Sequence, residues 1–143
     1  MFRILALIFF LAIPAHAGEW QQKFKPFEEA NVKPYHYFAV VKSVYDADTI
    51  TVQVDLGFGV QIEQRLRLYG IDAWEVRGEE RPIGLIARDW LRDEIGGERV
   101  VFVSFDDRKG KYGRFLALIY TEGQSLSIND RLVQLGHAEY RNY

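Results

Sequence analysis

From Phe38 onward, hydrophobic and polar residues alternate with a period of two, which predicts strands rather than helices over much of the chain. Ile50, Val52, Val54 and Leu56 alternate with Thr51, Gln53 and Asp55, as in a strand with one wet face. Gly57-Phe58-Gly59 then turns the chain into a second alternating run. There Val60, Ile62, Leu66 and Leu68 are interleaved with Gln61, Glu63, Arg65 and Arg67, so the two runs predict a hairpin. The period changes after Pro82: Ile83, Ile86, Ala87, Trp90, Leu91 and Ile95, closed by Gly96-Gly97, predict an amphipathic helix. Val100 to Phe105 and Phe115 to Tyr120 are apolar enough for buried strands, separated by a charged loop from Asp106 to Lys111. Ser127 with Asp130 three residues later resembles a capping box opening a short helix of Ile128, Leu132 and Leu135, which Gly136 ends.

The order of elements is ββ(β)αββα. It predicts an α+β, mainly β fold: a five-stranded barrel of the oligonucleotide-binding type, with one helix inserted after strand 3 and a short C-terminal helix. Closure of such a barrel buries the sheet edges. No internal repeat, low-complexity tract or second domain is visible.

The first residues follow a different pattern. Met1, Phe2 and Arg3 give a positive start, Ile4 to Ile13 an apolar run, and Ala15-His16-Ala17 a small-x-small cleavage site, which together read as a secretory signal peptide over residues 1–17. The run is shorter than the roughly 20 apolar residues of a membrane span. The expected mature protein starts near Gly18, is secreted or periplasmic, and carries no membrane anchor. Residues 18–37 form an N-terminal extension in which Trp20, Phe24 and Phe27 fit a short amphipathic helix, whose aromatic face is expected to dock on the domain at 38–143.

Charge and cysteine content narrow the picture further. The chain has no Cys, so no disulfide stabilises it. Loss of residues 1–17 from the 143 leaves 126, enough for one self-sufficient core, and loss of Arg3 leaves 17 basic against 20 acidic side chains. A net acidic protein holds a polyanion only through a local basic patch, which argues against a general nucleic-acid coating protein.

The candidate chemistry lies in three strings. In YDADTITV, Asp46 and Asp48 share the parity of the apolar face that begins at Ile50, where a carboxylate is costly unless paired, solvated at a turn or bound to a cation. In RLRLYGIDAWE, Arg67 precedes Asp72 by five residues, and Glu75 follows it by three on one tight turn. In KGKYGR, Arg114 follows the Tyr112-Gly113 turn. Each Arg alone would be read as a surface salt-bridge partner and Glu75 alone as a solvated loop residue. Together, two carboxylates able to ligate a cation, a third able to orient or deprotonate water, and two guanidinium forks suit hydrolysis of a phosphodiester, whose transition state gathers negative charge. Arg65, Arg77, Arg81, Arg108, Lys109 and Lys111 add local positive charge. No Cys is present and His36 and His137 lie far apart, so zinc is not indicated.

In order and context these strings resemble the staphylococcal nuclease (thermonuclease) family over roughly Val40 to Tyr140. The resemblance implies a Ca²⁺ site made by Asp48, Asp72 and the backbone carbonyl of Ala73, catalytic roles for Arg67, Glu75 and Arg114, and substrate contacts by Lys111 and Tyr112. It implies a monomeric endonuclease that acts on DNA and RNA with little sequence specificity, leaves 3′-phosphate ends and needs no stable protein partner. Two positions depart from the family pattern: Trp74 stands where Pro is usual before Glu75, and Ala47 stands where Gly is common between the two aspartates. The alternative from another class is a catalytically silent barrel that binds nucleic acid or a protein partner.

Overall fold

The computed structural model describes residues 34–109 and 113–142, with side chains over 35–105 and 113–142. Five strands close into a barrel in the order β1-β2-β3-β6-β5, with β5 returning to pair with β1. The strands are β1 (Pro34–Asp46), β2 (Thr49–Asp55), β3 (Gln61–Leu68), β5 (Arg99–Lys109) and β6 (Phe115–Thr121). Helix α1 (Arg81–Ile95) lies between β3 and β5, and helix α2 (Ile128–Gln134) follows β6. This is the mainly β, oligonucleotide-binding-type barrel that the periodicity predicts.

β1 closes the barrel because it is long enough to serve two partners. Its first half pairs with β5 and its second half with β2, and irregularities at Val41/Ser43 and Val44/Asp46 bend it between the two. The remaining seam is parallel and short, with Leu66 opposite Phe115 and Leu68 opposite Ala117. Inside lie Ile50, Val52, Leu66, Leu68 and Ile119, and α1 covers one end of this core with Gly84, Ala87, Leu91 and Ile95.

Three details differ from the pattern-based expectation. The apolar alternation of the β2–β3 hairpin continues past the barrel rim, so Leu56, Val60 and Ile62 are exposed although they keep the correct parity. On α1, Ile83 and Ile86 face solvent while Gly84 points inward. β5 runs to Lys109, four residues into the segment expected to be a charged loop. The predicted signal peptide and the Trp20, Phe24 and Phe27 face lie outside the described residues.

A second, two-stranded sheet was not foreshadowed by any periodicity. It pairs β4 (Ile71–Ala73) with β7 (Ala138–Tyr140), three residues on each side, so the segment after α2 is tied to the chain just beyond β3. Asn129 fixes this arrangement from within. It is 1% exposed, donates to the carbonyls of Tyr69 (2.9 Å) and Ala117 (3.0 Å), and accepts from the Ile119 amide (3.1 Å). Ser127 caps α2 as the capping box predicts, accepting from the Asp130 amide at 3.1 Å.

Replacing Asn129 by Ala leaves three backbone groups of β6 and the Tyr69 turn without these partners in a buried setting. At roughly 1–3 kcal/mol per unsatisfied buried group, with partial relaxation, the expected loss of unfolding free energy is about 3 kcal/mol. Urea denaturation of the variant against the parent measures it, and a loss below about 1 kcal/mol would mean that α2 does not depend on Asn129.

A carboxylate and guanidinium centre at the barrel rim

The β1–β2 connection is a two-residue turn, Ala47-Asp48, between the paired residues Asp46 and Thr49. The turn places Asp48 at the barrel end with its side chain inward, and the residue is only 3% exposed. Its backbone N–H donates to Asp46 Oδ1 at 3.1 Å, and the amide of Leu68 donates to its carbonyl at 2.8 Å, which locks the turn against β3.

A buried carboxylate needs donors, and three elements supply them. Arg67 of β3, directly opposite Thr49, donates from Nη1 to Asp48 Oδ1 at 2.7 Å. The Thr49 hydroxyl donates to the same oxygen at 2.9 Å, and the Ala73 amide donates to Oδ2 at 3.0 Å. The other arm of Arg67 donates from Nη2 to Asp72 Oδ1 at 2.6 Å. One guanidinium therefore bridges the two aspartates picked out in the sequence.

Arg114 joins the same network at one remove. The parallel seam sets Phe115 beside Leu66, and the residue before it donates from Nη1 to Thr49 Oγ1 at 2.9 Å. Thr49 accepts from Arg114 and donates to Asp48. It is buried, and sequence reading passed over it because a Thr in an alternating strand looks like ordinary filler. Arg141, just past β7, is a second residue missed: its Nη1 donates to Asp72 Oδ2 at 2.9 Å. Only the β4–β7 pairing brings it there, and no local signal marks that pairing.

Glu75 stands on the loop after β4, exposed, and its carboxylate is hydrogen-bonded to none of the described residues. Its backbone, by contrast, is held closely. Its N–H donates to Glu80 Oε2 at 2.9 Å, and Trp74 Nε1 donates to the Gly136 carbonyl at 2.8 Å, so the indole anchors the loop where the family usually has Pro. Gly84 of α1 lies directly beneath. A Cβ there would sit 2.2 Å from the Glu75 carbonyl oxygen and 2.8 Å from that of Trp74. Ala47 is fully buried, so a side chain is accommodated at this turn. Lys111 and Tyr112 lie outside the described residues, while His36 and His137 stand away from the network.

Burial and the neighbouring Asp46 push the Asp48 carboxyl up to about 6, against the pull of Arg67 and of the Ala73 amide. Whether these residues suit a cation follows from their chemistry. Asp48 and Asp72 offer hard oxygen donors that already converge on one positive group, the arrangement a hard divalent ion requires. Among the described residues no three His, Cys, Asp or Glu side chains group closely enough to enclose a metal.

The chain thus carries paired carboxylates and guanidinium groups at the rim of a five-stranded barrel. The profile of the family described as staphylococcal nuclease homologue matches residues 65–143, more than half of the chain, and the chain belongs to that family. An uncharacterized protein of Methanocaldococcus jannaschii is 27% identical over 127 residues, covering 72% of this chain. The chain spans 58% of that relative's length.

Two predictions follow from the site's construction. Protons would compete with any divalent cation at Asp48, so if one binds there its affinity, measured by calorimetry with Ca²⁺, should rise about tenfold per pH unit up to about 6 and level off above it. With chelator the sign is opposite. The raised carboxyl contributes stability that is present below its ordinary range and lost as pH rises through about 6, so Asp48→Asn should flatten the thermal midpoint over that window. The second concerns Gly84→Ala, a change that stabilises most helices by about 0.5–1 kcal/mol. Here it should destabilise, because the added methyl meets backbone, and displacement of the Glu75 loop should lower turnover on the order of 10²-fold. A variant as active and as stable as the parent would show that the loop is not held in place by α1.

Proposed function

We propose that this protein is a Ca²⁺-dependent endonuclease that hydrolyses phosphodiester bonds of DNA and RNA with little sequence specificity, leaving 3′-phosphate ends. The observation that carries the reading is the Arg67 bridge between Asp48 and Asp72, extended through Thr49 to Arg114. Two carboxylates and two guanidinium groups in one hydrogen-bonded unit match what an anionic substrate and a more anionic transition state demand. Family membership supports the same reading.

The residues divide the work. Asp48 and Asp72 would hold a divalent ion, with the Ala73 carbonyl as a further oxygen, and such an ion would supply positive charge to offset that on a phosphoryl oxygen. Arg67 and Arg114 donate to the equatorial oxygens of the five-coordinate phosphorus, a geometry that a planar fork suits better than a point charge. Glu75 orients the attacking water and accepts its proton from a loop fixed by Trp74 and Gly84. The water oxygen bonds to phosphorus as the bond to the 5′ oxygen breaks, and the 5′ oxygen takes a proton from solvent water. Lys111 and Tyr112, outside the described residues, are the substrate contacts that the family resemblance implies. The charged start, apolar run and Ala-His-Ala site of the first 17 residues support export to the periplasm or the medium.

The test is degradation of single-stranded DNA by the purified protein in millimolar Ca²⁺ and in excess chelator. Cleavage is expected only with Ca²⁺, and Arg114→Ala should lose about 10²–10³-fold in kcat while keeping its circular dichroism. A folded protein that binds the strand without cutting it in either condition would favour the silent-barrel alternative.

A further inference from the structure

Resting on the nuclease reading, the outer face of β3 carries a feature that the catalytic centre does not use. Arg65 and Arg67 lie on the same side of the strand, alternating with the fully buried Leu66 and Leu68, and are about 6.6 Å apart along it. Arg67 belongs to the carboxylate centre, where it bonds Asp48 and Asp72. Arg65 is exposed, and among the described residues it forms no ion pair. Its guanidinium carbon instead sits 5.6 Å from the ring centroid of Tyr45. Tyr45 is itself 44% exposed and immediately precedes Asp46, whose carboxylate accepts from the Asp48 amide. The Tyr45–Arg65 pair therefore borders the carboxylate centre on the β1–β3 side.

A structural role accounts poorly for this pair. An exposed cation over an aromatic ring contributes only about 0.5–1 kcal/mol, and the strand partner of Arg65 across the sheet is Thr51, which offers no countercharge. A net acidic protein can hold a polyanion only through local groups of this kind. We propose that Tyr45 and Arg65 form a binding subsite for the nucleotide next to the scissile phosphodiester of a single strand, with Arg65 on its phosphate and Tyr45 against its base. Glu63, the next exposed residue outward on the same face of β3, reverses the sign of the strip. The subsite thus takes one nucleotide and ends there.

The test uses the full chain in chelator, where binding is read without turnover, and a fluorescent ten-nucleotide single strand followed by anisotropy at several salt concentrations. Tyr45→Ala should weaken binding about tenfold and leave the salt slope as in the parent, with Tyr45→Phe restoring affinity. Arg65→Ala should weaken binding comparably and reduce the slope of log affinity against log salt by about 0.7, with Arg65→Lys restoring the slope. Thermal midpoints equal to the parent's would exclude misfolding as the cause. Parent protein that binds the strand while both variants match it overturns the subsite alone. Parent protein that neither binds the strand nor cleaves it in Ca²⁺ overturns the nuclease reading and the subsite with it.

Discussion

Everything at the rim of this barrel follows from one awkward charge. Asp48 is turned inward by a two-residue hairpin connection, and a carboxylate so placed costs several kcal/mol unless donors replace its lost water. Arg67 answers that demand from β3, Thr49 from β2 and Ala73 from β4. Three strands are thereby required to end at one point. The registers that set Thr49 opposite Arg67 and Leu66 opposite Phe115 are the ones that satisfy the requirement.

The same demand explains why the site is built from pairs rather than single residues. Arg67 uses both arms of its fork and so ties a buried aspartate to an exposed one, whose other oxygen is held by Arg141. Asp72 is thus shared between a strand of the barrel and the chain beyond β7. The proposed hydrolysis of an anion would need positive groups that are numerous and already oriented, and a centre assembled to neutralise its own carboxylates has collected them as a condition of folding.

How much of this could be read from the sequence depended on the range of the interaction. The barrel strands were legible because their alternation is local, whereas Asp48, Arg67, Asp72, Glu75 and Arg114 were singled out only as a set, through the strings that resemble the family. The structure joins the first three and Arg114 in one network and leaves the Glu75 carboxylate outside it. Thr49, Gly84 and Arg141 were not legible. Thr49 acts through a hydroxyl that any strand tolerates, Gly84 through the closeness of a loop 9 residues earlier, and Arg141 through a three-residue pairing with a segment nearly 70 positions away. The exposure of Ile62, Ile83 and Ile86 failed for a related reason: parity and helical spacing say which way a side chain points, not whether anything covers it. The N-terminal expectations fall outside the described residues and stand apart from this comparison.

The loop that bears Glu75 shows what it means to replace a covalent restraint with a tertiary one. A proline before the glutamate would narrow the backbone in every state of the chain, folded or not. Trp74 narrows it only while its indole reaches the Gly136 carbonyl at the end of α2, and Gly84 only while α1 is docked beneath. The position of the glutamate is therefore a property of the assembled helices, and it is lost whenever either undocks. Fluctuations that open α2 and leave the barrel intact would silence the loop first, so the chemistry of this site has its own, lower stability threshold than the fold that carries it.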